Sequence, residues 1–190
     1  MANPQTRNSG LLGTEIRVGS NECRLSVRGE TLVTRRFFSD VVVAMHVPAI
    51  KFAGLLRFAV SPEPTRNEWN ALDNFVESAL VTVIGGLKSM EISRQDLSIY
   101  AIGGADSPSL KTAQSGKRLY SAAERVLRRL GIVPNGEDLG GNQARSIWLD
   151  GDSGRLIVRS YASTGDRPLF PPSGISDETP STHFSHQLAC

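Results

Sequence analysis

The chain has 190 residues, 39% of them hydrophobic and 21% charged, a balance that fits one globular domain and excludes a disordered chain. Lysine and arginine number 21 against 19 acidic residues, and a net charge of +2 leaves no electrostatic footprint for nucleic acid or an anionic membrane surface. No apolar run reaches the roughly 18 residues that cross a bilayer, and MANPQTRNSG at the N-terminus lacks the apolar core of a secretory signal. The two cysteines, Cys23 and Cys190, and three histidines, His46, His183 and His186, are too few and too scattered for a disulfide framework or a zinc site. A cytoplasmic location is therefore expected, with no metal and no cofactor.

Residues 1–13 are polar and glycine-punctuated and are expected to fray. Val18 to Val27 can hold a short strand, and Leu32 to Thr34 is another extended piece. The β-branched run Val41 to Val47, stopped by Pro48, reads as a strand. Gly54 to Val60 reads as its partner, and Ala49 to Ala53 is short enough for an antiparallel hairpin connection. From Asn67 the apolar period lengthens: Trp69, Leu72, Phe75, Val76, Ala79, Leu80, Val83, Ile84 and Leu87 share one helical face. Thr65 or Asn67 can cap this helix, Glu68 suits its positive end, and Gly85-Gly86 predicts a break in its last turn.

Leu97 to Ile102 is a short apolar strand that runs into Gly103-Gly104-Ala105. A second helix is expected over residues 117–130, with Gly131 just past its end. Its Arg125, Arg128 and Arg129 read as a solvated face. Arg145 to Asp150 and Arg155 to Tyr161 are strands joined by the turn Gly151-Asp152-Ser153-Gly154. Residues 162–190 carry Pro168, Pro171, Pro172 and Pro180 without an apolar period, and are expected to be a disordered tail. The core is thus residues 14–161, an α+β domain of mixed β-sheets packed with helices.

Several segments, in order, resemble the CheD family of chemoreceptor glutamine deamidases. Leu32-Val33-Thr34-Arg35-Arg36-Phe37-Phe38-Ser39-Asp40-Val41 follows that family's L-x-T-x-x-x-G-S-C-V. Gly54 to Pro62 follows its segment with a His-Phe pair, and Ile102-Gly103-Gly104-Ala105 its FGGA turn. Asp138-Leu139-Gly140-Gly141-Asn142-Gln143-Ala144-Arg145 follows its D-x-G-G-x-x-x-R. The resemblance implies a fold related to cysteine hydrolases and deamidase toxins. It implies a cleft lined by Ser39, Gly103, Gly104, Gly140 and Gly141, and partners that are a chemoreceptor cytoplasmic domain or a CheC-type phosphatase.

The departures fall on the chemistry. Where the family places its nucleophilic cysteine, six residues after the threonine, Thr34 is followed by Asp40; where it places its histidine base, Arg57 stands. The glycine before the Ser-Cys pair is Phe38, and an asparagine after the second helix begins is Leu119. A carboxylate is a poor attacker of an unactivated amide, and an arginine stays protonated and cannot shuttle a proton. The resemblance therefore points to a CheD-like protein without deamidase chemistry, acting by binding. The alternatives are an active protein-glutamine deamidase using other residues, and a regulatory module that keeps only the fold.

Asp40 and Arg57 are expected to meet. A hairpin centred between Pro48 and Ala49 sets them directly opposite, as a carboxylate–guanidinium pair of the same polarity as thiolate–imidazolium. The other reading is two independently solvated edge residues. Cys23 reads as a small buried hydrophobe. His46, six residues along the same strand, lies about 20 Å from Asp40 and cannot be its partner.

Overall fold

Apolar alternation and the single long helical period resolve into a layered arrangement in this computed structural model. It describes residues 14–61, 63–106 and 115–161 and the backbone of Gln187 and Leu188. In chain order the elements are β1 (Glu15–Arg17), β2 (Glu22–Ser26), β3 (Thr31–Phe37), β4 (Val41–Val47), β5 (Phe52–Phe58) and α1 (Arg66–Ser89). There follow β6 (Ser98–Gly103), α2 (Ser115–Arg129), β7 (Gly136–Leu139), β8 (Ala144–Asp150), β9 (Leu156–Tyr161) and β10 (Gln187–Leu188). A central sheet has the order β2-β5-β4-β6-β7, and an outer sheet the order β1-β3-β8-β9-β10. The pairs β1–β3 and β6–β7 are parallel and the rest antiparallel, so the fold is α+β with mixed sheets.

Two cores follow from strand alternation. Val43, Met45, Leu56 and Ile99 project from one face of the central sheet onto Trp69, Val76, Leu80 and Val83 of α1 and Leu119, Ala123 and Leu127 of α2. Val42, Ala44, Leu55 and Ile102 project from the other face onto Leu32, Ile147, Leu149 and Leu156 of the outer sheet. The two helices are also stitched across their exposed sides. Arg125 and Arg129 of α2 pair with Asp73 and Glu77 of α1 on the solvated face, contacts that add little to the apolar packing beneath them.

Helix α1 starts at a capping box: Thr65 Oγ1 accepts from the Glu68 N–H, and the Glu68 carboxylate accepts from the Thr65 N–H. The helix does not break at Gly85-Gly86 but continues to Ser89, because Val83, Ile84 and Leu87 keep its apolar face on the core. Three further differences from the sequence reading concern strands. Strand β1, Glu15–Arg17, was not expected; it precedes the short strand expected within Val18 to Val27, which forms as β2. Strand β5 begins at Phe52, two residues before the expected start, because the connection is a one-turn 3₁₀ segment, Pro48–Ile50, ended by Lys51 at φ +51. Gly136–Leu139 forms β7, which its charged, glycine-containing sequence conceals.

Of the expected tail, Gln187–Leu188 adds a strand to the edge of β9, and the remainder lies outside the described residues, as does the expected frayed segment 1–13. Among the described residues, no helix is long and apolar enough to cross a membrane.

His46 is buried at the far end of β4, its Nε2 donating to the Gly151 carbonyl at 3.3 Å. Gly154 packs against the same ring at φ +70, and a Cβ there would lie 2.2 Å from His46 Nδ1. Gly154→Ala is therefore expected to lower stability by more than about 2 kcal/mol in urea denaturation. Gly86→Ala, at a helical position with nothing within 4 Å of an added Cβ, is expected to raise it by about 0.5–1 kcal/mol.

Candidate functional site

The last residues of β3, β5, β6 and β7 and the first of β4 and β8 meet at one end of the two sheets. Here Val41 pairs with Phe58 and Gly103, Gly103 with Leu139, and Phe37 with Arg145. Asp40 enters this rim one residue before β4, on the same face as Val42 and so in the seam between the sheets. Arg57 lies on the same face of β5. Across the seam, a bulge between Thr34 and Phe37, with Arg36 at φ +49, leaves both Thr34 and Phe37 buried against the central sheet.

All three guanidinium nitrogens of Arg57 are engaged. Nε and Nη2 lie 2.7 and 2.6 Å from Asp40 Oδ2, and Nη1 donates to Thr34 Oγ1 at 2.9 Å. The plane sits over the Phe37 ring, 5.7 Å from its centroid. Side-chain exposures of 15% and 14% place the pair well inside the surface, where charge-assisted bonds are strong. Arg57 thus ties the central sheet to the outer one. The contact forms although the register differs from the expected one. Arg57 lies opposite Val42, and Asp40 is the diagonal neighbour two residues away, because the 3₁₀ turn shifts the centre of the hairpin.

A second guanidinium–carboxylate pair crosses the same seam. Arg145 of β8 grips Asp138 of β7 with Nε to Oδ2 at 3.0 Å and Nη2 to Oδ1 at 2.8 Å, and Arg145 is only 7% exposed. The two ends of D-x-G-G-x-x-x-R are therefore one fork-to-fork contact, which the segment's spacing did not by itself reveal.

Glycines fix the backbone of the rim. Gly103, at φ +118, lies so close to Asp40 that a Cβ would be 2.2 Å from its carbonyl oxygen. The Gly104 N–H donates to that carbonyl at 2.8 Å, and the Ala105 N–H to the Phe38 carbonyl at 3.0 Å, bracketing Ser39. Gly140 N–H donates to Gly103 at 2.8 Å and Asp106 N–H to the Gly141 carbonyl at 2.9 Å. These four N–H groups are committed within the protein. Gly116, in the first turn of α2, packs on Gly104 backbone to backbone.

The structure thus brings together Thr34, Asp40 and Arg57, and around them Ser39, Gly103, Gly104, Gly140 and Gly141. It adds Ser20, whose hydroxyl lies 3.4 Å from Asp40 Oδ2 and which, with Asn21, Ser61, Leu72 and Phe75, lines an adjoining cavity of about 490 Å³. No sequence signal marked Ser20, because its loop reaches the rim through the β2–β5 pairing. Cys23 is excluded from the rim. It alternates with Glu22, the partner of Arg57, so it points to the helix layer, where burial pushes its thiol pKa up. Leu119 is fully buried in the same layer. His183, His186 and Cys190 lie outside the described residues. Among the described residues, no cluster of three or more His, Cys, Asp or Glu is placed to hold a metal.

Removing one member of the Asp40–Arg57 pair strands the other in a partly desolvated seam. Asp40→Ala and Arg57→Ala are each expected to cost about 2 kcal/mol, less than a fully buried pair because some solvent reaches it. The double variant is expected to cost less than the sum of the two, giving a coupling of about 1 kcal/mol or more in a denaturation cycle. Strict additivity would show the contact to be energetically inert.

With this geometry in place, comparison with known proteins identifies the family. The model of the family described as CheD chemotactic sensory transduction matches residues 61–160, just over half of the chain. That span holds the Gly103-Gly104 turn and the Asp138–Arg145 pair and begins after Thr34, Asp40 and Arg57. A probable chemoreceptor glutamine deamidase CheD of Solibacter usitatus is 27% identical over 169 residues, 84% of this chain and 98% of that protein. The chemoreceptor glutamine deamidase CheD of Thermotoga maritima is 28% identical over 142 residues, 75% of this chain and 89% of that one. In a crystal structure, the hypothetical protein YfiH of Bacillus licheniformis is similar over 63% of this chain and 51% of its own, at 15% identity and a TM-score of 0.42. The chain belongs to the CheD family.

Proposed function

We propose that this chain serves chemosensory signalling by binding, without deamidating glutamine. The observation that carries this reading is the closed cluster of Arg57, Asp40 and Thr34 at the rim, where the family resemblance expects a cysteine and a histidine. Glutamine deamidation by a thiol needs a nucleophile to attack the amide carbon and an acid to protonate the departing ammonia. Asp40 has its Oδ2 bound to two guanidinium nitrogens, and Arg57 has no proton to give at working pH. Among the described residues, Cys23 faces away with its thiol pKa raised, and the N–H groups of Gly104, Ala105, Asp106 and Gly140 already hold the turns. Loss of both members of a catalytic pair removes several powers of ten in rate.

The rim itself is intact as a surface. Two inter-sheet ion pairs and four glycines keep its shape, and the neighbouring cavity between β5 and α1 gives it depth. The relatives' names support a chemoreceptor cytoplasmic domain as the partner, and the family resemblance adds a CheC-type phosphatase. A cytoplasmic location fits either.

The test pairs two assays on one preparation. Incubated with a purified chemoreceptor cytoplasmic fragment, the protein is expected to release no ammonia and to leave every glutamine unconverted by mass spectrometry. The same protein is expected to retain that fragment, or a CheC-type phosphatase, in a pull-down. Conversion of glutamine to glutamate that depends on the protein overturns the inactive reading, and retention of neither partner overturns the binding one.

A further inference from the structure

The C-terminal half of α1 lies about 25 Å along the helix from Glu68 at the rim cavity, at 1.5 Å per residue. A groove of about 350 Å³ runs there between α1 and the segment leading into β6, closed on its far side by Leu130. Its floor is aliphatic, formed by Val81, Ile84 and Leu97, and Val81 is left 41% exposed. The charged residues that line it are Lys88 and Arg94, both cations, with no carboxylate among the lining. Among the described residues neither has an ion-pair partner, whereas Arg125 and Arg129 on the adjoining helix are matched by Asp73 and Glu77. The surface therefore combines an apolar trough with two lining cations.

Gly85 forms part of the groove wall. A glycine inside a helix costs about 1 kcal/mol relative to alanine. Nothing in the protein lies within 4 Å of a Cβ added there, so no internal contact requires the missing side chain. What its absence does provide is open space over the trough, enough for another backbone to come close.

We propose that this groove docks an amphipathic helix of a partner protein, one that presents two or three aliphatic side chains flanked by carboxylates. The aliphatic side chains cover Val81, Ile84 and Leu97, the carboxylates meet Lys88 and Arg94, and the helix backbone passes over Gly85. This is a helix-in-groove mode, with apolar burial supplying affinity and charge supplying choice of partner. It stands on the groove alone and does not depend on what the Asp40–Arg57 rim binds.

The probe is a designed helical peptide with leucines at positions i, i+3, i+7 and glutamates beside them. A companion peptide has every glutamate replaced by lysine. Fluorescence anisotropy at low salt is expected to show the glutamate peptide binding at least tenfold more tightly. Lys88→Glu with Arg94→Glu is expected to reverse that order. Gly85→Leu fills the trough and is expected to weaken binding at least tenfold while thermal stability is maintained or raised, which separates groove filling from unfolding. Asp40→Ala is expected to leave binding unchanged. Equal affinity for the two peptides, no binding of either, or an unaffected Gly85→Leu variant overturns the proposal. So does capture of anionic phospholipid vesicles in place of the peptide, which would assign the groove to a lipid surface.

Discussion

Strand β4 is buried along its whole length and on both faces, and this constraint organises the molecule. One face must fill the helix layer and the other must fill the gap to the outer sheet, so Val43 and Met45 go one way and Val42 and Ala44 the other. Neither face tolerates a charge. Asp40 is placed at the first position where burial relaxes, and strand alternation aims it into the seam between the sheets. The orientation of the candidate site is thus inherited from the core, and a slip of one residue in β4 would turn Asp40 away from Arg57.

The rim also shows how buried polar groups can fix the geometry of a seam between two sheets. A guanidinium held by a carboxylate, a threonine hydroxyl and an aromatic face is a stable unit that bridges two sheets. The Arg145–Asp138 fork bridges the same two sheets. Pairs of this kind contribute modestly to net stability because desolvation offsets much of the attraction, but each partner fixes the other's position. What remains is a shaped, charge-balanced edge. On that arrangement rests the proposal that this edge binds a partner.

Helix α1 connects the two surfaces for which binding is proposed. Its capped first turn stands beside the rim cavity, and its last turns form a wall of the apolar groove. The buried stripe between them packs on the central sheet, so the two surfaces are held at a fixed separation by a rigid element.

Much of this was legible in the chain itself. The β4 run and its stop at Pro48, the α1 face with its Thr65–Glu68 cap, the β8–β9 hairpin and the glycine turns are local patterns, and local patterns survive folding. The spacing of Thr34, Asp40 and Arg57 singled out three residues whose side chains meet in the folded chain. Tertiary structure decided the rest. The hairpin centre moved because Pro48–Ile50 takes a 3₁₀ turn, so Asp40 meets Arg57 diagonally instead of directly across. Strand β7 exists because β6 offers it an edge, and its own sequence lacks apolar alternation. The break expected at Gly85-Gly86 was overruled by the core contacts of the residues around it. Sequence fixes which residues have the right character. Only packing decides register, because register depends on surfaces far apart in the chain, and on register rests the question of which charges meet.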